Sequence, residues 1–497
     1  MEEAEEQAVI IDVTTDNAPA VLSIMLKQIE NADFVAIDQE LSGLGNTAGR
    51  KHLDMDGYYK RVREAAEERA VISMGISCFK SSKDFVKAHP DMCDRLLFDC
   101  CSFNIFLIPE GQFHMDGSAR RFLVAHGFNM NWWAENAISY ARECQTDFMS
   151  SVVDGLLTSK ASIVFHNGLL DLAYFYSSFY GSLPKLYLTF TADIADMFGG
   201  RLFDTKVICD KQLNWRLSSL EYCFKKSQRV SSRARNLGQP AALIRQNIPE
   251  VPADSLVKIS VSENVTVFEE TPVVGIHVCE LMYHSGFCNA FKTGDCQHPV
   301  ENHQMDLVLD VEESLRKRKE TSGEQKDEPE PKKRFDFDSL SKSPKEKVSG
   351  EANGDMEPGE IATTEEERVK LKGIFNFQPK IKAAKSTERR EVHPQLRGTS
   401  HFTIDNNKTY NLDFGLHSAG FDAFMTGYVF ATSLAQLGRT EKEGRIQFTK
   451  SEGFVNRIHV TGKNDHPCNF VKSSTAKFSD VHEKLVARIR NTKAEPL

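Results

Sequence analysis

The chain has 497 residues, 40% of them hydrophobic and 26% charged, with a formal net charge of −9. That length suggests roughly two to four domains, and the composition excludes a wholly disordered chain. The acidic balance excludes a histone-like binder, so any grip on nucleic acid has to come from local basic patches or from metal ions at the phosphates.

The first residues, MEEAEEQAVIIDV, are acidic where a secretory signal or a mitochondrial presequence would be basic. No apolar run approaches the length of a membrane span, so no membrane contact is expected. Thr14, Thr15 and Asp16 precede VLSIMLKQIE, whose apolar spacing near 3.6 predicts a capped helix. The strands FVAID (34–38), VISMGISCF (71–79), FNIFLI (103–108) and ASIVFH (161–166) then alternate with helical stretches through about residue 255, an α/β pattern. The 11 cysteines form no repeated framework and cluster only between Cys279 and Cys296. A reducing compartment, nuclear or cytosolic, fits that usage.

From 307 to 395 the chain is dense in Lys, Glu, Asp, Pro, Ser and Gly and reads as a disordered linker. Apolar periodicity returns in TYNLDFGLHSAGFDAFMTGYVFATSLAQLG (409–438), a short approach followed by a helix carrying Phe421, Met425, Tyr428 and Leu434.

Asp38 and Glu40 share one face of the first strong strand, because side chains alternate with period two. Two carboxylates held together favour a hard divalent cation between them. Asp-x-Glu also occurs at Asp310/Glu312 and Asp355/Glu357, so the buried-looking strand Phe34–Ile37 and the turn at Ser42 and Gly43 single out the first pair. Asp171 stands in the first turn of a helix after Asn167 and Gly168, where a carboxylate is also a common stabilising feature. His417 precedes Asp422 by five residues, a spacing that His166 and Asp171 repeat.

Taken together, Asp38, Glu40, Asp171, His417 and Asp422 resemble the signature of the DEDDh exonucleases. With HNGLLDL (166–172), FNIFLIP (103–109), FDTKVI (203–208) and SSLEYCF (218–224), the chain is similar to the deadenylase branch holding the CAF1 and poly(A)-specific ribonuclease families. The resemblance implies an RNase H-like mixed sheet flanked by helices. It implies that Asp38, Glu40, Asp171 and Asp422 hold two Mg²⁺ ions, or Mn²⁺ in their place, with Asp38 bridging both and His417 as general base ahead of His166. It further implies 3′-to-5′ trimming of single-stranded RNA ends, poly(A)-like tails and small nuclear RNA 3′ ends among them, with release of 5′-nucleoside monophosphates. A nuclear setting follows, in nucleoplasm, Cajal bodies and nucleolus. The alternatives are a DNA-directed exonuclease with the same carboxylates and a catalytically inactive RNA-binding scaffold. Protein partners and oligomeric state leave no signature.

In HVCELMYHSGFCNAFKTGDCQHPVENHQMD (277–306), Cys279, Cys288, Cys296 and His303 supply three thiolates and an imidazole, the donor set of a closed structural Zn²⁺ site. The segment resembles a CCCH zinc finger, here assigned to 271–306, although its spacings of eight, seven and six residues are longer toward the His than is usual. His303 is preferred over His298, His284 and His277 on order. Phe287 and Phe291, with Tyr283, are candidates for base stacking or for the finger's own core. Lys225, Lys226 and Arg229, followed by Arg233 and Arg235, are candidates for RNA phosphates or for a solvated helix face. Arg316, Lys317, Arg318 and Lys319 with Lys332, Lys333 and Arg334 read as a bipartite nuclear-import signal or as an ordinary charged linker. Because Asp171 precedes the finger and His417 follows the linker, the exonuclease domain is expected to be discontinuous, 8–255 with 396–490.

Overall fold

The computed structural model describes residues 7–46, 52–82, 95–142, 147–260, 278–288, 290, 296–321, 409–411, 418–442, 445–461, 468–470 and 476–492. The chain forms two compact units, one from Met1–Val265 with Pro394–Leu497 and one from Thr266–His393.

The first unit is built on a ten-stranded mixed sheet. Its strands are β1 (Gln7–Val13), β2 (Phe34–Leu41), β3 (Val71–Ser81), β4 (Arg95–Pro109), β5 (Ile138–Tyr140), β6 (Ser162–Phe165), β7 (Leu202–Asp204), β8 (Ala241–Gln246), β9 (Leu256–Ser260) and β10 (Thr409–Asn411). They run in the order β10-β9-β1-β4-β3-β2-β6-β7, with β5 and β8 also pairing with β4. The β2–β3 and β3–β4 pairs are antiparallel, whereas β1–β4, β2–β6 and β6–β7 are parallel.

Alternation gives the sheet two different faces. Val35, Ile37, Met74, Ile76, Phe103 and Ile105 join one continuous core with apolar residues of α1 (Ala18–Asn31), α2 (Met55–Glu68), α3 (Phe148–Thr158) and α4 (Leu169–Phe175). The opposite face carries Asp38, Gly75, Ser77, Ser102 and Asn104 in its middle, small or polar residues that are nearly all buried. After α5 (Leu220–Asn236) and two helices of the second unit, α6 (Glu280–Ser285) and α7 (Met305–Thr321), comes α8 (Ala419–Leu437), which lies across this face against β2, β3 and β4. Ring contacts fix it there: Phe430 meets Phe34 edge-on at 4.8 Å, and Phe424 stacks toward Phe79 at 6.4 Å. With α5 packed on its outer side, α8 is buried almost all round, from Ala419 to Ala435.

The structure differs from one expectation: residues 307–321, read as the start of the linker, lie in α7, which runs through Thr321. Met305, Val308 and Leu309 form an i, i+3, i+4 stripe that is buried, and the dense charge around it hides the period in the sequence. Arg316 lies on this helix and pairs with Glu313 at 2.7 Å. Lys317, Arg318 and Lys319 follow on the same helix, while Lys332, Lys333 and Arg334 lie outside the described residues.

Candidate metal centre

Asp38 and Glu40 project from β2 opposite Gly75 and Ser73 of β3. Gly75 is required by close approach: a Cβ there would overlap the carbonyl oxygen of Ala419, the first residue of α8. That notch lets the helix start settle on the sheet beside Asp38. Gly420 repeats the device, since its Cβ would stand 2.7 Å from both Asn104 Cβ and Ile10 Cγ2. Asp422 is then in the first turn of α8, its N–H bonded to the Ser418 carbonyl at 2.9 Å. One carboxylate oxygen from each of Asp38, Glu40 and Asp422 lies within 4.8 Å of the others.

Asp171 stands in the first turn of α4 and completes the cluster electrostatically rather than within that distance, raising the pKa of both Asp38 and Glu40. Its place follows from the turn before it. Asn167 takes a left-handed conformation, φ 65°. The buried Asp204 accepts the N–H groups of Asn167 at 2.9 Å and Gly168 at 3.3 Å, together with those of Lys206 and His459 at 2.8 Å each. The FDTKVI segment thus supplies the buckle that holds the HNG turn.

Burial, reinforced by the neighbouring negative charges, holds the Asp38 and Glu40 carboxyls well above the usual carboxylate range. Burial pushes Asp171 up to about 7, opposed by backbone N–H bonds that lower it and helped by the Asp204 charge that raises it. A hard cation fits this donor set, because it replaces mutual repulsion with attraction for carboxylate oxygen. The sign of the resulting pH dependence is fixed. Groups with raised folded-state pKa contribute stability that is full below the ordinary carboxylate range and is lost as pH rises through the raised values. The upward shift in melting temperature caused by saturating Mg²⁺ is therefore expected to be small near pH 5 and large above pH 7. Differential scanning fluorimetry at both pH values checks this; an equal shift at both would contradict it.

The histidines separate cleanly. His166 is engaged at both ring nitrogens, Nδ1 with Thr205 Oγ1 at 2.9 Å and Nε2 with the Ser218 carbonyl at 3.0 Å. Burial and the Lys206 charge hold its pKa well below the ordinary value, which suits a structural imidazole. His417 lies outside the described residues, two positions before α8 begins.

The loop that leaves Glu40 is strapped by residues that sequence reading missed. Asp116 Oδ2 accepts the N–H groups of Leu44 and Gly45 at 3.1 Å each, and Arg69 Nη2 holds Asp116 Oδ1 at 2.9 Å. Arg69 keeps the Asp116 carboxyl below its usual range. Leu44 is left 45% exposed on this braced loop.

In the second unit, ligand atoms of Cys279, Cys288, Cys296 and His303 all lie within 4.8 Å of one another. Two sulfurs on one tetrahedral Zn²⁺ stand about 3.8 Å apart; Cys279 Sγ and Cys296 Sγ are 4.0 Å apart. His303 Nε2 is 3.3 Å from Cys296 Sγ, while its Nδ1–H donates to the Pro299 carbonyl at 2.9 Å, which turns Nε2 toward the sulfurs. Neither His298 nor His284 joins the cluster. Tyr283 is buried and Phe287 is 38% exposed; Phe291 lies outside the described residues. On α5, Lys225, Lys226 and Arg229 are half-buried, and Lys226 Nζ donates to Tyr222 Oη at 2.8 Å and sits 5.5 Å from the Trp215 ring.

A model of the CAF1 ribonuclease family matches residues 13–150 and 144–430. Poly(A)-specific ribonuclease PNLDC1 of Mus musculus is 28% identical over 144 residues, 27% of this chain and 26% of that protein. Poly(A)-specific ribonuclease PARN of Arabidopsis thaliana is 26% identical over 150 residues, 29% of this chain and 19% of that protein. The matched stretch thus spans about a quarter or less of these relatives. Among solved structures, S. pombe Pop2p in its Mg²⁺ and Mn²⁺ bound form aligns over 44% of this chain and 82% of that one, with 17% identity and a TM-score of 0.34. The RNase domain of the yeast Pop2 protein aligns over 44% and 75%, with 13% identity and the same TM-score.

Proposed function

As the chain belongs to the CAF1 family of ribonucleases, we propose that it is a divalent-metal-dependent 3′-to-5′ exoribonuclease that shortens single-stranded RNA tails, adenosine tails above all. The observation that carries this reading is the convergence of Asp38, Glu40 and Asp422, brought from segments nearly four hundred residues apart to within 4.8 Å, with Asp171 adding its charge. A structural role for three such carboxylates would leave their repulsion uncompensated.

In this reading Asp38, Glu40, Asp171 and Asp422 hold two Mg²⁺ or Mn²⁺ ions. When bound, such ions polarise the scissile phosphate, lower the pKa of the attacking water and stabilise charge on the leaving 3′ oxygen. His417 takes the proton of that water, an imidazole being able to do so near neutral pH. The product is a 5′-nucleoside monophosphate. The names of the poly(A)-specific relatives and the deadenylase-like motifs support adenosine tails, with small nuclear RNA 3′ ends as the resemblance-based substrate, and the basic runs at 316–319 and 332–334 support a nuclear site of action.

Incubating the chain with Mg²⁺ and RNAs that end in A, U or mixed tails tests the substrate. Faster shortening of A tails is expected. Equal rates on all three would remove the tail preference, faster shortening of a single-stranded DNA would favour the DNA-directed alternative, and no shortening at all would favour a scaffold.

Cys279, Cys288, Cys296 and His303 hold one structural Zn²⁺ in this reading, and the small second unit relies on it for much of its folding free energy. Purified protein should contain one zinc per chain by inductively coupled plasma mass spectrometry, and Cys288→Ser should lose it. Retention of full zinc by that variant would refute the ligand set.

A further inference from the structure

We infer that Asn104 is a positioning residue for the metal centre: its side-chain amide fixes the first turn of α8, and through it Asp422, over Asp38 and Glu40. The inference rests on reading that cluster as a metal centre.

Asn104 is 4% exposed and sits in a row of residues that crosses four strands, Asp38 of β2 opposite Gly75 of β3, Gly75 opposite Asn104 of β4, and Asn104 opposite Asp12 of β1. One end of the row is a ligand of the cluster, the next position is the notch under Ala419, and the third is the amide. Asn104 Oδ1 accepts the Ser73 hydroxyl at 2.8 Å and the Gly420 N–H at 3.2 Å, while Nδ2 donates to Asp12 Oδ1 at 3.0 Å.

Each bond has a reason. The Gly420 N–H is among the first N–H groups of a helix, which have no acceptor inside it, and Gly420 is buried, so without Asn104 this donor would be orphaned away from water. A Cβ added to Gly420 would stand 2.7 Å from both Asn104 Cβ and Ile10 Cγ2, so only a glycine lets the helix start seat this closely on those two side chains. Asp422 is two residues further along a rigid turn, so a shift of Gly420 moves the carboxylate with it. The backbone N–H of Gly420 can only donate, which turns Oδ1 of the amide toward it and toward Ser73 and leaves Nδ2 to donate to Asp12 Oδ1, whose carboxyl burial pushes up to about 7.

Binding of Mn²⁺ to the full chain, measured by isothermal titration calorimetry and corrected for heat that persists in Asp38→Ala, tests the inference without reference to turnover. Asn104→Leu removes all three bonds while keeping the branching of the side chain, and Asn104→Asp sets two carboxylates against each other. Both should weaken Mn²⁺ binding by about 10- to 100-fold, the range found when groups that orient metal ligands are removed. The Mg²⁺ concentration giving half-maximal tail shortening should rise by the same factor, with the KM for RNA unchanged. In the double variant Asp12→Asn/Asn104→Asp the donor and acceptor trade sides, and binding should return to within about threefold of wild type.

Undiminished Mn²⁺ affinity in Asn104→Leu, or a double variant as weak as Asn104→Asp, would overturn the inference alone. If Asn104→Leu does not fold, the comparison between Asn104→Asp and the double variant decides. Absence of Mn²⁺ binding in the wild-type chain would instead overturn the metal-centre reading beneath it.

Discussion

Asp422→Asn is expected to abolish RNA shortening while raising the melting temperature of the metal-free protein. The oxygen it neutralises is one of three within 4.8 Å of each other, at the start of a helix packed tightly against the sheet. Divalent ions at a phosphoryl centre supply several kcal/mol of transition-state stabilisation, so loss of a ligand should lower kcat on the order of 10³-fold. The same change removes the charge that contributes to the raised pKa of both Asp38 and Glu40. At pH 7.5 the metal-free fold should then gain about 1–2 kcal/mol, as is common when a strained functional site is relieved. Single-turnover assays and thermal melts in EDTA read the two effects. A variant that is both inactive and less stable would mean that Asp422 serves the fold rather than a cation.

Gly75→Val should be the most damaging change outside the carboxylates. Any Cβ at this position overlaps the Ala419 carbonyl, and that atom is backbone, so α8 itself must move. Overpacking of this kind costs about 1–3 kcal/mol. The helix also carries Asp422 and is buried along both sides, so the shift should remove activity even where the protein remains folded. Gly75→Val with circular dichroism like that of wild type and full RNA shortening would show that the helix seat does not set the metal centre.

The sequence makes the strands at 34, 71, 103 and 161 legible because their apolar runs are bounded by turn residues and helical periods. It also makes Asp38 legible against two other Asp-x-Glu pairs, since only that pair follows a buried run. It does not reveal why Asp422 can reach Asp38. That depends on Gly75 and Ser77 alternating with Met74 and Ile76 in VISMGISCF, which leaves one face of β3 flat, and a flat face gains meaning only when the helix that fills it is known. Asn104 and Asp204 stand out only as letters inside FNIFLIP and FDTKVI. Their work is to bind backbone N–H groups of segments far away in the chain, Gly420 and His459, and no local pattern encodes that. Asp12 sits in an ordinary apolar strand, where an aspartate between Ile11 and Val13 is the available signal. The helix over 305–321 escapes notice for the opposite reason: the charge density of that stretch masks a short apolar stripe that the helix buries.

We propose that Asp38, Glu40, Asp171 and Asp422 hold cations that cleave RNA from its 3′ end. A 5′-labelled RNA with an adenosine tail, incubated with Mg²⁺ and sampled over time on a sequencing gel, tests it most directly. The expected result is a ladder that shortens one nucleotide at a time from the 3′ end, absent in EDTA and absent in Asp38→Ala. Intact RNA throughout, or a ladder that Asp38→Ala produces as fast as wild type, would contradict it.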